Sequence, residues 1–310
     1  MRTDSACGRE PLVETIVRFL AHERAADVRA IRTCVEQAID ESGPGAIDSL
    51  SARLLRAGAD WAYYPHDPLA RRIHHALAPR VLQPAPVVEG TAHLDDVKDR
   101  PLVIFANHLS YSDANVVEVI LRSAGASALA DRLTAIAGPK VYSNLSRRFS
   151  SLCFGTIKVP QSSERSTEDA VMHPRDVARA ARRAIQIAQE RLMLGEALLI
   201  FAEGSRSRTA QMQPFLSGTA RYLDLADTWV LPIGIAGTEK LFPIDGAGLH
   251  SVPIALNIGR PMRAADLRGR FRRDRRGLMD CVGRAVAALL PEEYRGVYGG
   301  AAEAAPRTPA

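Results

Sequence analysis

The run Asn107-His108-Leu109-Ser110-Tyr111-Ser112-Asp113 stands directly after the apolar stretch 102–106 and sets an imidazole five residues ahead of a carboxylate. The apolar stretch reads as a strand. Ser112 reads as the N-cap of a following helix that buries Val116, Val117, Ile120 and Leu121. His108 then lies in the connecting loop and Asp113 in the first helical turn, where the chain reversal can bring the two together. A carboxylate that accepts from one ring nitrogen fixes the tautomer and leaves the other nitrogen free to take a proton from a hydroxyl. The same spacing, taken alone, also describes an ordinary loop histidine beside a helix-start carboxylate favoured by the dipole.

A second group, Ala202-Glu203-Gly204-Ser205-Arg206-Ser207-Arg208, follows the apolar run 197–201 in the same way. Gly204 permits a sharp turn, and arginines at alternate positions of an extended segment point to one side. Their forked donors suit a phosphate, although a solvated basic loop has the same composition. Polar residues at the carboxyl ends of two strands are where an open α/β sheet builds its site.

The elements that must hold these loops follow from periodicity. Residues 9–83 repeat apolar side chains at spacings of three and four, as in Val28, Ile31, Val35 and Ile39, and read as helices. From residue 84 short apolar runs at 101–106, 197–201, 229–235 and 253–258 alternate with helical patterns. The strongest helix is expected over 176–194, with Asp176 as N-cap and Gly195 as stop, and a last helix over 278–290 ends at Pro291. The expected fold class is α/β: a mixed or parallel sheet flanked by helices, preceded by a small N-terminal helical region. The expected divisions are a helical region at 1–84, an α/β domain at 85–295 and a disordered tail at 296–310.

The chain has 310 residues, 46% hydrophobic and 24% charged, which excludes intrinsic disorder. Forty Lys plus Arg against 35 Asp plus Glu give a net charge of +5, a mild excess that suits anionic ligands or surfaces. Aromatic residues are only 5%, with no stacking platform for nucleic acid. The arginines at 268, 270, 272, 273, 275 and 276 could dock on anionic lipid, an acidic carrier protein or CoA phosphates, or could form a solvated loop. The four cysteines are scattered, which reads as a reduced compartment. Charges interrupt every apolar run of the first thirty or so residues, so no secretory signal is expected, and no apolar window is long enough to span a membrane. The expected location is the cytoplasm, with at most peripheral contact on the inner face of the cytoplasmic membrane.

These blocks resemble the glycerol-3-phosphate/lysophosphatidate acyltransferase superfamily. Asn107, His108, Ser110 and Asp113 match its Asn-His-x-Ser-x-x-Asp motif in full, and Phe201, Glu203, Gly204, Arg206, Ser207 and Arg208 match its Phe-Pro-Glu-Gly-Thr-Arg-Ser-Arg motif, with Ala202 and Ser205 as departures. Pro214-Phe215-x-x-Gly218 and the block 231–235 continue the likeness, whereas 154–160 is a weak second block in which Lys158 is the candidate cation. The order and spacing of four blocks over about 101–259 make the joint match specific.

The resemblance implies a glycerolipid acyltransferase-like fold and direct transfer, with His108 as general base and Asp113 as its orienter. Arg206 and Arg208, with Lys158, would bind an acceptor phosphate, while Asn107, Ser110, Glu203 and Gly204 shape the loops. The donor would be acyl-CoA or acyl-acyl carrier protein, and the acceptor a lysophosphatidate, a related lysophospholipid or glycerol 3-phosphate in phospholipid synthesis. No cofactor or metal is implied, and the adjacent His74-His75 reads as chance. No Gly-x-Ser-x-Gly elbow is present to support a serine hydrolase. Two alternatives stay open: a catalytically silent lipid- or acyl-carrier-binding protein on the same fold, and transfer to a specialised hydroxyl acceptor outside the glycerolipids.

Overall fold

The computed structural model describes residues 8–20, 25–160, 173–225, 227–242 and 249–300. Its centre is a nine-stranded mixed sheet in the order β1-β5-β4-β6-β3-β7-β8-β2, with β9 paired to β7. The strands are β1 Tyr63–Tyr64, β2 Val87–Glu89, β3 Leu102–Ala106, β4 Leu133–Ala137, β5 Gly155–Lys158, β6 Ala197–Phe201, β7 Trp229–Ala236, β8 Ala255–Ile258 and β9 Met262–Arg263. The inner strands β5, β4, β6, β3 and β7 are parallel, and antiparallel pairing begins at β1, β8 and β9.

Continuous apolar sequence in β3 has a simple cause: both faces of the sheet are covered. Leu102, Ile104 and Ala106 join a core with the N-terminal helices, and Val103 and Phe105 join a second core on the opposite face. The first face carries α1 Arg9–Leu20, α2 Ala25–Asp40, α3 Ala46–Arg56, α4 Pro68–Val81 and α5 Asp113–Ser123, so the helical region before residue 84 shares its core with the sheet. Past α5 come the short helices α6 Ser127–Asp131 and α7 Leu145–Ser151. The second face carries α8 Pro174–Met193, α10 Ala264–Phe271 and α11 Arg275–Ala287; a one-turn α9 Thr238–Leu241 after β7 sends Leu241 into the first core.

Register positions the site. Ala106 pairs with Phe201 on one side and Ile233 on the other, so β3 and β6 end side by side and their two polar loops emerge together.

Several expectations need correction. The strongest helix starts at Pro174, and the cap is His173, whose ring accepts the N–H of Arg175 at 3.2 Å; Asp176 lies in the first turn. Proline at the first helical position explains the earlier start, since its missing N–H has no intrahelical partner to lose. Gly195 ends the helix region with φ +86° as expected. The last helix begins at Arg275, capped by Asp274 accepting from Gly277 N–H at 2.8 Å, so the arginine run spans the end of α10 and the start of α11. In the expected tail, Gly296–Tyr298 form a 3-10 turn, and the Tyr298 hydroxyl accepts from Phe215 N–H at 2.9 Å. Residues 301–310 lie outside the described residues.

Candidate active site

Helix α5 starts where β3 has just ended, and this tight reversal sets Asp113 beneath His108. The imidazole Nδ1 lies 2.8 Å from Asp113 Oδ2, and the same oxygen accepts the backbone N–H of Leu109 at 2.7 Å and of Ser110 at 2.9 Å. Three donors on one buried oxygen fix the loop and the ring together. With Nδ1–H donated to the carboxylate, Nε2 carries the free lone pair. Asp113 is fully buried, while the His108 side chain keeps 17% exposure, enough to meet a substrate. Phe201 stacks on the imidazole with ring centres 4.4 Å apart.

Ser112 precedes the helix as expected, but its side chain does not cap it; its hydroxyl bonds that of Ser110 at 2.9 Å. Asn107 clamps the loop to β7: its amide nitrogen donates to Ile235 O and its amide oxygen accepts from Ile235 N–H, both at 2.8 Å.

Glu203 ties the second loop to the first. One carboxylate oxygen accepts the backbone N–H of His108 at 2.8 Å and the other that of Gln213 at 2.7 Å. Burial pushes this carboxyl up to about 7, against the opposing pull of the Gln213 and His108 N–H groups. Gly204 turns the chain at φ +74°, and Ser207 N–H reaches back to His108 O at 2.7 Å.

Of the three expected phosphate ligands, Lys158 stands apart from the two arginines of the second loop. Arg206 is half-buried with its guanidinium 4.4 Å above the Tyr111 ring, whereas Arg208 is exposed. Lys158 sits at the end of β5, three strands and about 14 Å of sheet away from β3. Its ammonium donates to Gly58 O at 2.5 Å and lies 4.4 Å over Trp61, and burial lowers its pKa. The cation that does accompany Arg206 is Arg147 on α7, 4.2 Å from the centre of the same Tyr111 ring. Sequence reasoning missed it, because nothing local marks one arginine of α7 as facing a loop 36 residues earlier.

Tyr111, Arg147 and Arg206 line a cavity of about 340 Å³ with Ser110, Ser112 and Asn144. An apolar cavity adjoins it, sharing Phe19, Ser146, Ser150 and Phe242 and continuing along Leu12, Ile16, Val116 and Val119. Among the described residues no cluster of His, Cys, Asp and Glu could hold a metal ion, and Cys34, Cys153 and Cys281 are free thiols. Both rings of the adjacent His74 and His75 turn to the fully buried Glu118 of α5, His75 Nε2 at 3.0 Å and His74 Nε2 at 3.2 Å, the latter poorly aligned for a hydrogen bond. Arg122 completes the cluster at 3.1 Å. Among the described residues no helix is long and apolar enough to cross a membrane.

The family model described as Acyltransferase matches residues 86–236, which contain β3, β6, β7 and both polar loops. No curated protein matches the chain in sequence. Among solved structures, the crystal structure of the 1-acyl-sn-glycerophosphate (LPA) acyltransferase PlsC from Thermotoga maritima is 19% identical, over 84% of this chain and 96% of that one, with a TM-score of 0.47. Over residues 86–236 the chain thus carries an Acyltransferase domain, and the protein is an acyltransferase.

Proposed function

We propose that the protein moves a fatty acyl group from acyl-CoA or acyl-acyl carrier protein to the hydroxyl of a phosphorylated glycerol acceptor, a lysophosphatidate or related lysophospholipid, or glycerol 3-phosphate, in phospholipid synthesis. The observation that carries this reading is the 2.8 Å contact of His108 with buried Asp113 beside a cavity bearing two arginines. His108 Nε2 takes the proton of the acceptor hydroxyl as its oxygen attacks the thioester carbonyl. The imidazolium formed is stabilised by Asp113. The tetrahedral intermediate then expels the thiolate, which takes the proton back from Nε2, leaving an ester, a free thiol and neutral His108.

Arg206 and Arg147, both close to the Tyr111 ring, would hold the acceptor phosphate with charge-assisted and, for a fork, bidentate hydrogen bonds. The adjoining apolar cavity suits an acyl chain, because methylenes removed from water there contribute about 0.8 kcal/mol each. Asn107, Ser110, Glu203 and Gly204 shape the two loops. The arginines exposed at 270, 272, 273, 275 and 276 would meet an anionic membrane surface or an acidic carrier protein. The test is thiol release from acyl-CoA and from acyl-acyl carrier protein against lysophosphatidate, glycerol 3-phosphate, other lysophospholipids and non-phosphorylated alcohols. Turnover confined to phosphorylated acceptors supports the reading. Equal turnover of alcohols lacking phosphate contradicts it.

A further inference from the structure

Asp113 has a second carboxylate oxygen, and in a fully buried site that oxygen needs a donor of its own. Oδ2 is taken by His108, Leu109 and Ser110. Oδ1 is met by the hydroxyl of Thr238 at 2.6 Å, from a residue 125 positions later in the chain, itself fully buried. Thr238 is the first residue of α9. It is delivered there by Gly237 at φ +95°, where a Cβ would lie 2.2 Å from Pro253 O, so the turn that aims the hydroxyl excludes a side chain at the preceding position. Two residues before Gly237, Ile235 is held at both backbone groups by Asn107. The end of β7 is thereby fastened to the loop of His108 on one side and to Asp113 on the other.

We infer that Thr238 is a positioning residue of the transfer reaction, which holds Asp113 in the one rotation that presents Oδ2 to His108. The inference rests on the reading of His108 as general base. A carboxylate turns about its terminal torsion with broad, roughly twofold freedom. Backbone donors on Oδ2 alone leave Oδ1 an unsatisfied buried acceptor, and rotation or hydration would then compete with the His108 contact. A hydroxyl anchored on a different strand removes that freedom.

The experiment compares Thr238→Val, Thr238→Ser and His108→Ala in steady-state transfer, with nitrogen-15 histidine spectra of each. Valine keeps the volume and the branching and deletes the donor. Loss of one hydrogen bond to a charged group corresponds to a fall in kcat of about 10- to 100-fold. KM for donor and acceptor should stay within about twofold, because Thr238 lines neither cavity. The downfield Nδ1–H signal that vanishes in His108→Ala should weaken or shift in Thr238→Val. Serine, which retains the hydroxyl, should restore most of kcat and the signal. A valine variant with unchanged kcat and an unchanged signal overturns the inference, as does a serine variant as impaired as valine. Should valine fail to fold, the serine variant and its spectrum still decide. His108→Ala with near-normal turnover would instead overturn the general-base reading itself, so the two failures are separable.

Discussion

The carboxylate of Glu203 holds His108 by its backbone and not by its ring, accepting the main-chain N–H at 2.8 Å. The loop after β6 thus sets the height of the loop after β3, and the catalytic candidate inherits its position from a residue 95 positions away.

That buried carboxyl carries a pH signature. Burial raises the Glu203 carboxyl from its ordinary value near 4.5 to about 7, so the folded protein binds its proton more tightly than the unfolded chain does. A raised carboxyl contributes stability that is full below about 4.5 and is lost as pH rises towards about 7. Glu203→Gln should abolish that slope, and should cost about 1–3 kcal/mol because one of two N–H groups loses its acceptor. Urea denaturation at pH 4.5, 6 and 7.5 measures both; an unchanged slope in the variant would assign it to other groups.

The arginines of the cavity should separate from those outside it. Arg206→Ala and Arg147→Ala should each raise acceptor KM, by about 10- to 100-fold for a lost charge-assisted contact, with donor KM little changed. Arg206→Lys should recover only part, since an ammonium cannot reproduce the fork. Lys158→Ala should leave acceptor KM alone and cost no more than about 2 kcal/mol of stability, through its Trp61 and Gly58 contacts. A rise in donor KM with acceptor KM fixed would assign the arginines to the donor's phosphates.

The buried cluster of Glu118 with His74, His75 and Arg122 should govern acid stability. Burial alone would push the Glu118 carboxyl up, but the close polar contacts of His74 and His75 hold it well below its ordinary value. A depressed carboxyl contributes stability present above about 4.5 and lost as pH falls below it. Glu118→Gln leaves the Arg122 guanidinium facing an amide and should cost about 3–5 kcal/mol at neutral pH. Thermal melts of the two proteins should converge as pH drops below about 4; parallel curves would contradict the role.

What the sequence made legible was local. The two loops after 102–106 and 197–201 could be read because each motif sits within a dozen or so residues and strand and helix patterns flank it. Residues Leu133–Ala137 and Gly155–Lys158 escaped as strands, being segments of five and four residues too short to tell from buried helix by periodicity. Neighbours on a helix point about 100° apart, so His74 and His75 gave no sign that a glutamate from α5 sits between them. Arg147 and Thr238 meet Tyr111 and Asp113 across distances in sequence that no spacing rule spans. Lys158 stands apart from the loop after β3 for a topological reason: β4 and β6 intervene between its strand and β3.

The exposed arginines at 270, 272, 273, 275 and 276 yield a prediction about surfaces. Binding to vesicles rich in anionic lipid should weaken steeply as salt rises, since exposed charges are screened beyond about 8–10 Å at physiological ionic strength. Arg270→Gln, Arg272→Gln and Arg273→Gln together should weaken it further, by about 1 kcal/mol per arginine. Flotation insensitive to both would point to insertion of apolar groups.

The most direct measurement is single-turnover acyl transfer by His108→Ala, with circular dichroism to verify the fold. General-base assistance contributes roughly 10²- to 10⁴-fold, and the account predicts a loss of that size with acceptor binding retained. Asp113→Asn should follow it, since the amide can favour the wrong tautomer. A folded His108→Ala protein that transfers acyl groups at near the wild-type rate would contradict the account.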